Sequence, residues 1–155
     1  MTEADQKKIV DLLNTSYNME LETVINYLTI SQYLDGFRAK HIKDSLAADV
    51  QEELGHATML AGRIKVLDGT PLGSQGLKMN QTSLQPPKST LDVIDICRGV
   101  IEAEQGAIDQ YQKIIEATDG IDPVTQDLCI ELKGDEEEHR RLFKGFLAEL
   151  EAGKV

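Results

Sequence analysis

Gln51-Glu52-Glu53-Leu54-Gly55-His56 and Asp135-Glu136-Glu137-Glu138-His139 decide the fold of this 155-residue chain. Each stretch holds a Glu-x-x-His step, Glu53 to His56 and Glu136 to His139. A helix turns about 100° per residue, so positions i and i+3 share a face and both side chains of a pair can reach one cation. The flanking apolar residues keep helical spacing. Leu46, Leu60 and Leu67 surround the first pair; Leu128, Leu132, Phe143, Phe146 and Leu150 surround the second. The acidic and imidazole groups thus fall in the stripe that should face the core.

The same anomaly recurs twice upstream of these pairs. Ile94, Cys97, Ile101, Glu104, Ile108, Tyr111 and Ile115 run in alternating steps of three and four, with one glutamate in a core slot. Leu13, Tyr17, Glu20, Val24, Tyr27, Ser31 and Leu34 form the matching seam near the N-terminus. Glu22 and Glu102 fall off these seams, and each seam glutamate precedes a tyrosine by seven residues. Glu20 stands 33 residues before Glu53, and Glu104 stands 32 before Glu136. Four carboxylates and two imidazoles in a dry core would repel one another and lack solvation unless cations neutralised them.

The rest of the chain arranges itself around these four segments. Helices are expected at about 3–34, 38–67, 90–118 and 122–152, within a single domain spanning residues 1–155. Gly36 stops the first helix, and Asp68-Gly69-Thr70-Pro71 the second. Ser89 or Thr90 can cap the third, while Asp122-Pro123 reads as a cap followed by proline at the first helical position. Residues 69–90, GTPLGSQGLKMNQTSLQPPKST, carry three glycines and three prolines without helical period. They form a long crossover between two short-looped hairpins. The fold class is therefore all-α, a four-helix bundle with one long connection, each helix about 42 Å long.

Composition excludes several functions. Aromatic residues make up only 5% of the chain, which suits Leu/Ile/Ala helix packing better than a sheet sandwich. The net charge is −11 with no basic cluster, so direct binding to duplex DNA is not expected. No stretch approaches the roughly 20 apolar residues of a membrane span, and the N-terminus MTEADQKKIV has no apolar signal-peptide core, so a cytoplasmic location is expected. Cys97 and Cys129 make no disulfide framework and read as packed core cysteines.

QEELGH and DEEEH, taken with MELETVINYL (residues 19–28) and EAEQGAIDQY (residues 102–111), resemble the four ligand helices of ferritin-like di-iron carboxylate proteins. Within that superfamily the chain is most similar to bacterioferritins and Dps-like proteins, and LDGTPLGSQGLKMN (residues 67–80) resembles the bacterioferritin crossover. The resemblance implies that Glu53 and Glu136 bridge two iron ions. Glu20 with His56 would complete one ion, and Glu104 with His139 the other. Four carboxylates would balance two divalent cations with both imidazoles neutral. Manganese is the other metal that such a donor set accepts. Glu52 and Asp135, next to the implied bridges, either orient an imidazole or simply face water. Tyr27 either bonds a ligand carboxylate or packs in the core, and His41 reads as a surface residue.

The resemblance implies a ferroxidase that oxidises Fe(II) with O₂ or H₂O₂ and stores iron in a homo-oligomeric shell. The alternatives are a rubrerythrin-like peroxide-scavenging oxidoreductase without storage, and a non-enzymatic metal-binding bundle. Bacterioferritins ligate haem with a methionine directly after the first bridging glutamate; Leu54 holds that position here, so haem is not expected. The 24-subunit cages carry a fifth short helix. This sequence ends at Val155, soon after the fourth, which favours twelve subunits over twenty-four.

Overall fold

A computed structural model describes residues 1–153. It contains four long helices, α1 (Glu3–Tyr33), α2 (Lys40–Val66), α3 (Val93–Thr118) and α4 (Pro123–Glu151). Single 3₁₀ turns occupy Phe37–Ala39 and Ser74–Gly76, and there are no strands among the described residues. α1 pairs with α2 and α3 with α4; the two hairpins meet through α1 with α3 and α2 with α4. The architecture is the four-helix bundle with one long crossover that the sequence implies.

Local chemistry fixes the helix ends. Thr2 caps α1 and shares a reciprocal pair with Asp5: the Asp5 N–H donates to Thr2 Oγ1, and the Thr2 N–H to the Asp5 carboxylate at 2.9 Å. Such caps contribute about 1 kcal/mol. Asp122 caps α4 with Pro123 in its first turn. Arg63 of α2 donates to both Asp122 oxygens, at 2.9 and 3.0 Å, and to Thr125 Oγ1 at 2.8 Å. The start of α4 is thereby tied to the end of α2.

Most helix ends fall one to three residues inside the sequence expectation, α2 starting at Lys40 after the 3₁₀ turn, and two of them have a clear physical reason. α1 ends at Tyr33, and Gly36 then turns the chain with φ +96, a conformation that a Cβ would strain; a Cβ there would also lie 2.8 Å from Leu91. α3 begins at Val93, capped by Asp92 rather than by Ser89 or Thr90. The Thr90 carbonyl instead accepts the Asp35 N–H at 2.9 Å, and Ser89 Oγ takes the Leu91 N–H. Both groups serve the turn and are lost to the helix.

The core is two apolar clusters separated by a polar layer. One includes Tyr27, Ile30, Leu46, Val50, Val100 and Phe143; the other includes Leu13, Leu60, Tyr111, Ile114, Cys129 and Leu132. Along each helix the acidic and histidine residues lie between the two. On α3 the buried stripe is centred on Ile96, Val100, Glu104, Ile108, Tyr111 and Ile114. Ile94, Ile101 and Ile115, expected at its centre, are only partly buried and pack at its margin. Cys97 and Cys129 are buried, unbridged and in different clusters; burial lifts each thiol to about 12.

The crossover is held down by one polar edge of α1. Asn14 bonds Thr70 and Leu72. Asn18 bonds Lys78 through both its carbonyl and its N–H. Glu22 accepts the Gln81 N–H at 2.8 Å, and Asn26 donates to the Gln81 side chain at 2.9 Å. These four residues recur every fourth position, a single helical edge. On the other side, Gly99 of α3 lets the strap approach: a Cβ there would stand 2.3 Å from the Ser83 carbonyl oxygen.

Candidate metal centre

The bundle brings all six residues singled out above into one buried cluster. Glu53 and Glu136 are fully buried; Glu20, His56 and Glu104 are at most 2% exposed, and His139 is 7% exposed. Two overlapping donor sets form. One is Glu20, Glu53, His56 and Glu136; the other is Glu53, Glu104, Glu136 and His139. Within each set one ligand atom per residue lies within 4.8 Å of the others. Glu53 and Glu136 belong to both.

Both imidazoles face the cluster with the same nitrogen. His56 Nδ1 lies 3.0 Å from Glu53 and 2.9 Å from Glu136. His139 Nδ1 lies 3.1 Å from Glu53, 3.1 Å from Glu136 and 3.6 Å from Glu104. The rings stack with centroids 6.5 Å apart. The outer nitrogens are braced crosswise between hairpins. Asp135 of α4 lies 3.1 Å from His56 Nε2, and Glu52 of α2 lies 2.9 Å from His139 Nε2. An Nε2–H donated to a carboxylate leaves Nδ1 with its lone pair toward the cluster, which is the tautomer a metal needs.

The tyrosines brace the seam glutamates in the same crosswise manner. Tyr27 of α1 donates to Glu104 of α3, and Tyr111 of α3 donates to Glu20 of α1. Burial holds both phenols well above their usual range, so they remain donors. Glu52 and Asp135 therefore each reach an imidazole while remaining open to solvent on their other side, and Tyr27 bonds a carboxylate as well as packing in the core. His41 is exposed, as is Glu102.

The electrostatics show what occupies the cluster when no cation does. Burial, reinforced by neighbouring carboxylates, pushes Glu20 and Glu136 well above the usual glutamate range. Burial would raise Glu53 too, but bonds from Glu20 and the two imidazoles hold it well below. For both histidines burial favours the neutral ring, and the surrounding carboxylates outweigh it and raise them. Protons thus stand in for the positive charge the cluster lacks. One acceptor is left over: buried Glu136 Oε2 is 3.1 Å from His139 Nδ1 but outside hydrogen-bond geometry, and it has no hydrogen-bond partner. An orphaned carboxylate oxygen among oxygen and imidazole donors fits a divalent cation of the iron or manganese type.

Asp49 was missed by the sequence reading. It is 7% exposed on α2, with Oδ1 3.6 Å from His139 Nε2, and burial lifts it to about 7. The signal was present: Asp49 precedes Glu53 by four residues and so shares its face.

Comparison with known proteins agrees with this fold. Residues 10–152 match the ferritin-like domain family, and the chain belongs to that family. It is 27% identical over 150 residues to the DNA protection during starvation protein of Pyrococcus furiosus, covering 94% of this chain and 80% of that one. A dodecameric thioferritin, the bacterioferritin-related protein of Bacteroides fragilis, superposes with a TM-score of 0.84 at 24% identity, covering 96% and 89% of the two chains. The bacterioferritin of Desulfovibrio desulfuricans superposes at 0.79 with 21% identity, covering 97% and 84%. No helix among the described residues is long and apolar enough to cross a membrane.

Proposed function

We infer that this protein is a cytoplasmic ferroxidase that binds Fe(II) in pairs, oxidises it with O₂ or H₂O₂, and retains the product in a homo-oligomeric shell. The observation that carries this reading is the pair of buried donor sets sharing Glu53 and Glu136. Glu20 and His56 would hold one ion, Glu104 and His139 the other, with Glu53 and Glu136 shared. A bound pair of Fe(II) ions supplies the two electrons that reduce O₂ to H₂O₂, or H₂O₂ to water. The chain's own residues do the rest. The shared carboxylates hold both ions within reach of one oxidant. Glu52 and Asp135 keep the imidazole lone pairs inward. Tyr27 and Tyr111 position Glu104 and Glu20, and the two apolar clusters keep bulk water from either end.

Assembly is supported by exposed apolar side chains on α1 and α2, including Ile25, Leu28, Leu54 and Met59, of the kind that subunit contacts cover. Twelve subunits is the favoured state. With a net charge of −11, any protection of DNA by this protein is chemical, through removal of Fe(II) and peroxide, and not by coating the duplex.

Glu53→Ala removes a ligand common to both ions and should lower the rate of Fe(II) oxidation by at least about 100-fold, as loss of an essential two-metal ligand does. A wild-type oxidation rate in this variant would falsify the assignment. Light scattering should show a closed oligomer, and a stable monomer would remove the storage half of the reading. Retardation of duplex DNA at about 0.15 M salt would contradict the charge argument.

A further inference from the structure

The cluster repeats itself between the two hairpins. Adding 84 to the numbers of Glu20 and Tyr27 gives Glu104 and Tyr111; adding 83 to Glu52, Glu53 and His56 gives Asp135, Glu136 and His139. The repeat breaks at one buried position beside an imidazole: Asp49 on α2 corresponds to Leu132 on α4. His139 Nε2 therefore has two carboxylates within ion-pair distance, Glu52 at 2.9 Å and buried Asp49 at 3.6 Å, while His56 Nε2 has one, Asp135 at 3.1 Å, with the exposed Glu52 farther off though still within 4.8 Å of the pair. Asp49 Oδ2 has no hydrogen-bond partner.

We propose that Asp49 makes the two cation positions unequal, so that a divalent cation binds more tightly at Glu104 and His139 than at Glu20 and His56. This rests on the reading of the six residues as a two-cation site. Apart from its contact with His139, Asp49 has no partner in the fold among the described residues. A buried carboxylate with one oxygen unbonded costs stability, and the equivalent position on α4 accommodates leucine. A cation can use it. Coordination through Nδ1 draws electron density from the ring and makes Nε2–H a stronger donor. A carboxylate facing that hydrogen returns negative potential to the ring and strengthens its bond to the metal. Inside the bundle this effect is poorly screened. The His139 position fills first and empties last, and the His56 position is the one through which ions exchange.

Cobalt(II), which coordinates like Fe(II) but resists oxidation by air, tests this without turnover. Titration of the chelator-treated full chain, followed by calorimetry and visible absorbance, should resolve two steps of one ion each, separated by about tenfold in affinity. In Asp49→Leu the tighter step should weaken about tenfold and merge with the other. Asp49→Asn, which keeps the shape, should do the same to a smaller degree. In a His56→Ala background, Asp49→Leu should still weaken the remaining ion; in His139→Ala it should have no effect. Two equal steps in the wild type, or an equal effect of Asp49→Leu in both backgrounds, would overturn the inequality alone. Fewer than two ions per chain in the wild type would overturn the six-residue site as well. Melting of metal-free Asp49→Leu separates this from a structural role: the midpoint should hold or rise, and a fall would place Asp49 in the fold.

Discussion

Glu20 and Glu22 sit two residues apart on α1, both are buried, and their surroundings are opposite. Glu22 looks onto the crossover and accepts the backbone N–H of Gln81. Glu20 looks into the bundle, where the groups around it are further carboxylates, an imidazole and the Tyr111 hydroxyl. One buried carboxylate is matched by a neutral donor and serves the fold. The other is opposed by like charge and is tolerated only as an acid or beside a cation. Burial of a charged residue does not by itself mark function; the mismatch between the residue and its neighbours does.

Substitution should separate the two most sharply. Glu20→Gln removes a cation ligand while keeping the shape and an acceptor for Tyr111. Fe(II) oxidation should fall at least about 100-fold, and the metal-free melting temperature should hold or rise, because a buried acid is replaced by a neutral amide. Glu22→Ala strands a backbone donor under the crossover. It should cost about 1–3 kcal/mol, a loss of about 2–12 °C in Tm, with oxidation per folded chain unchanged. If Glu22→Ala lost activity and Glu20→Gln lost stability, the comparison would be inverted and the site misassigned.

A second pair sharpens the same contrast on α3. Glu104 is buried against Tyr27 and His139, whereas Glu102 is exposed. Glu104→Gln should weaken Co(II) binding about 10–100-fold, the usual scale for losing a ligand or its support, and Glu102→Gln by less than about twofold. Equal effects from the two would mean that the wrong face of α3 looks inward.

Much of this was legible in the sequence, for a physical reason. A carboxylate in an apolar stripe violates the helical pattern, so Glu20, Glu104 and the two Glu-x-x-His steps announce themselves one helix at a time. Asp122-Pro123 is similarly local, and it caps α4 as read. What stayed hidden depends on a partner far away in sequence. Nothing in the local pattern of Asn14, Asn18, Glu22 and Asn26 marks the crossover that lies on them. The crosswise bracing of Tyr27 to Glu104 and Glu52 to His139 joins hairpins that no local pattern connects. The start of α3 was misplaced because Thr90 serves the turn after α1, a contact across 55 residues of chain.

The smallest effect, and the one that tests the electrostatic half of the comparison, is the pH dependence of the metal-free fold. Burial raises Glu20 and Glu136 well above their ordinary 4.5 and lifts Asp49 from 3.8 to about 7. The two histidines, despite burial, are raised above 6.5 by the carboxylates around them. In all five the folded chain holds a proton more tightly than the unfolded chain. Their contribution is complete below the unfolded value and is lost as pH rises through the folded one. For Asp49 that window runs from 3.8 to about 7; for Glu20 and Glu136 it opens at 4.5, and for the histidines at 6.5. Glu53 runs the other way: its pKa is depressed, so its contribution is present above 4.5 and lost as pH falls. Above that value the five raised groups dominate. The metal-free protein should therefore melt several degrees lower at about pH 8 than at about pH 5. Cation binding must displace those protons, so Co(II) affinity should rise across the same interval and flatten the melting profile of the loaded protein. Melting curves of chelator-treated and Co(II)-loaded protein at stepped pH would check both. A metal-free midpoint that climbs with pH would mean that the cluster is not held together by protons, and that Glu20 is as well matched by its surroundings as Glu22.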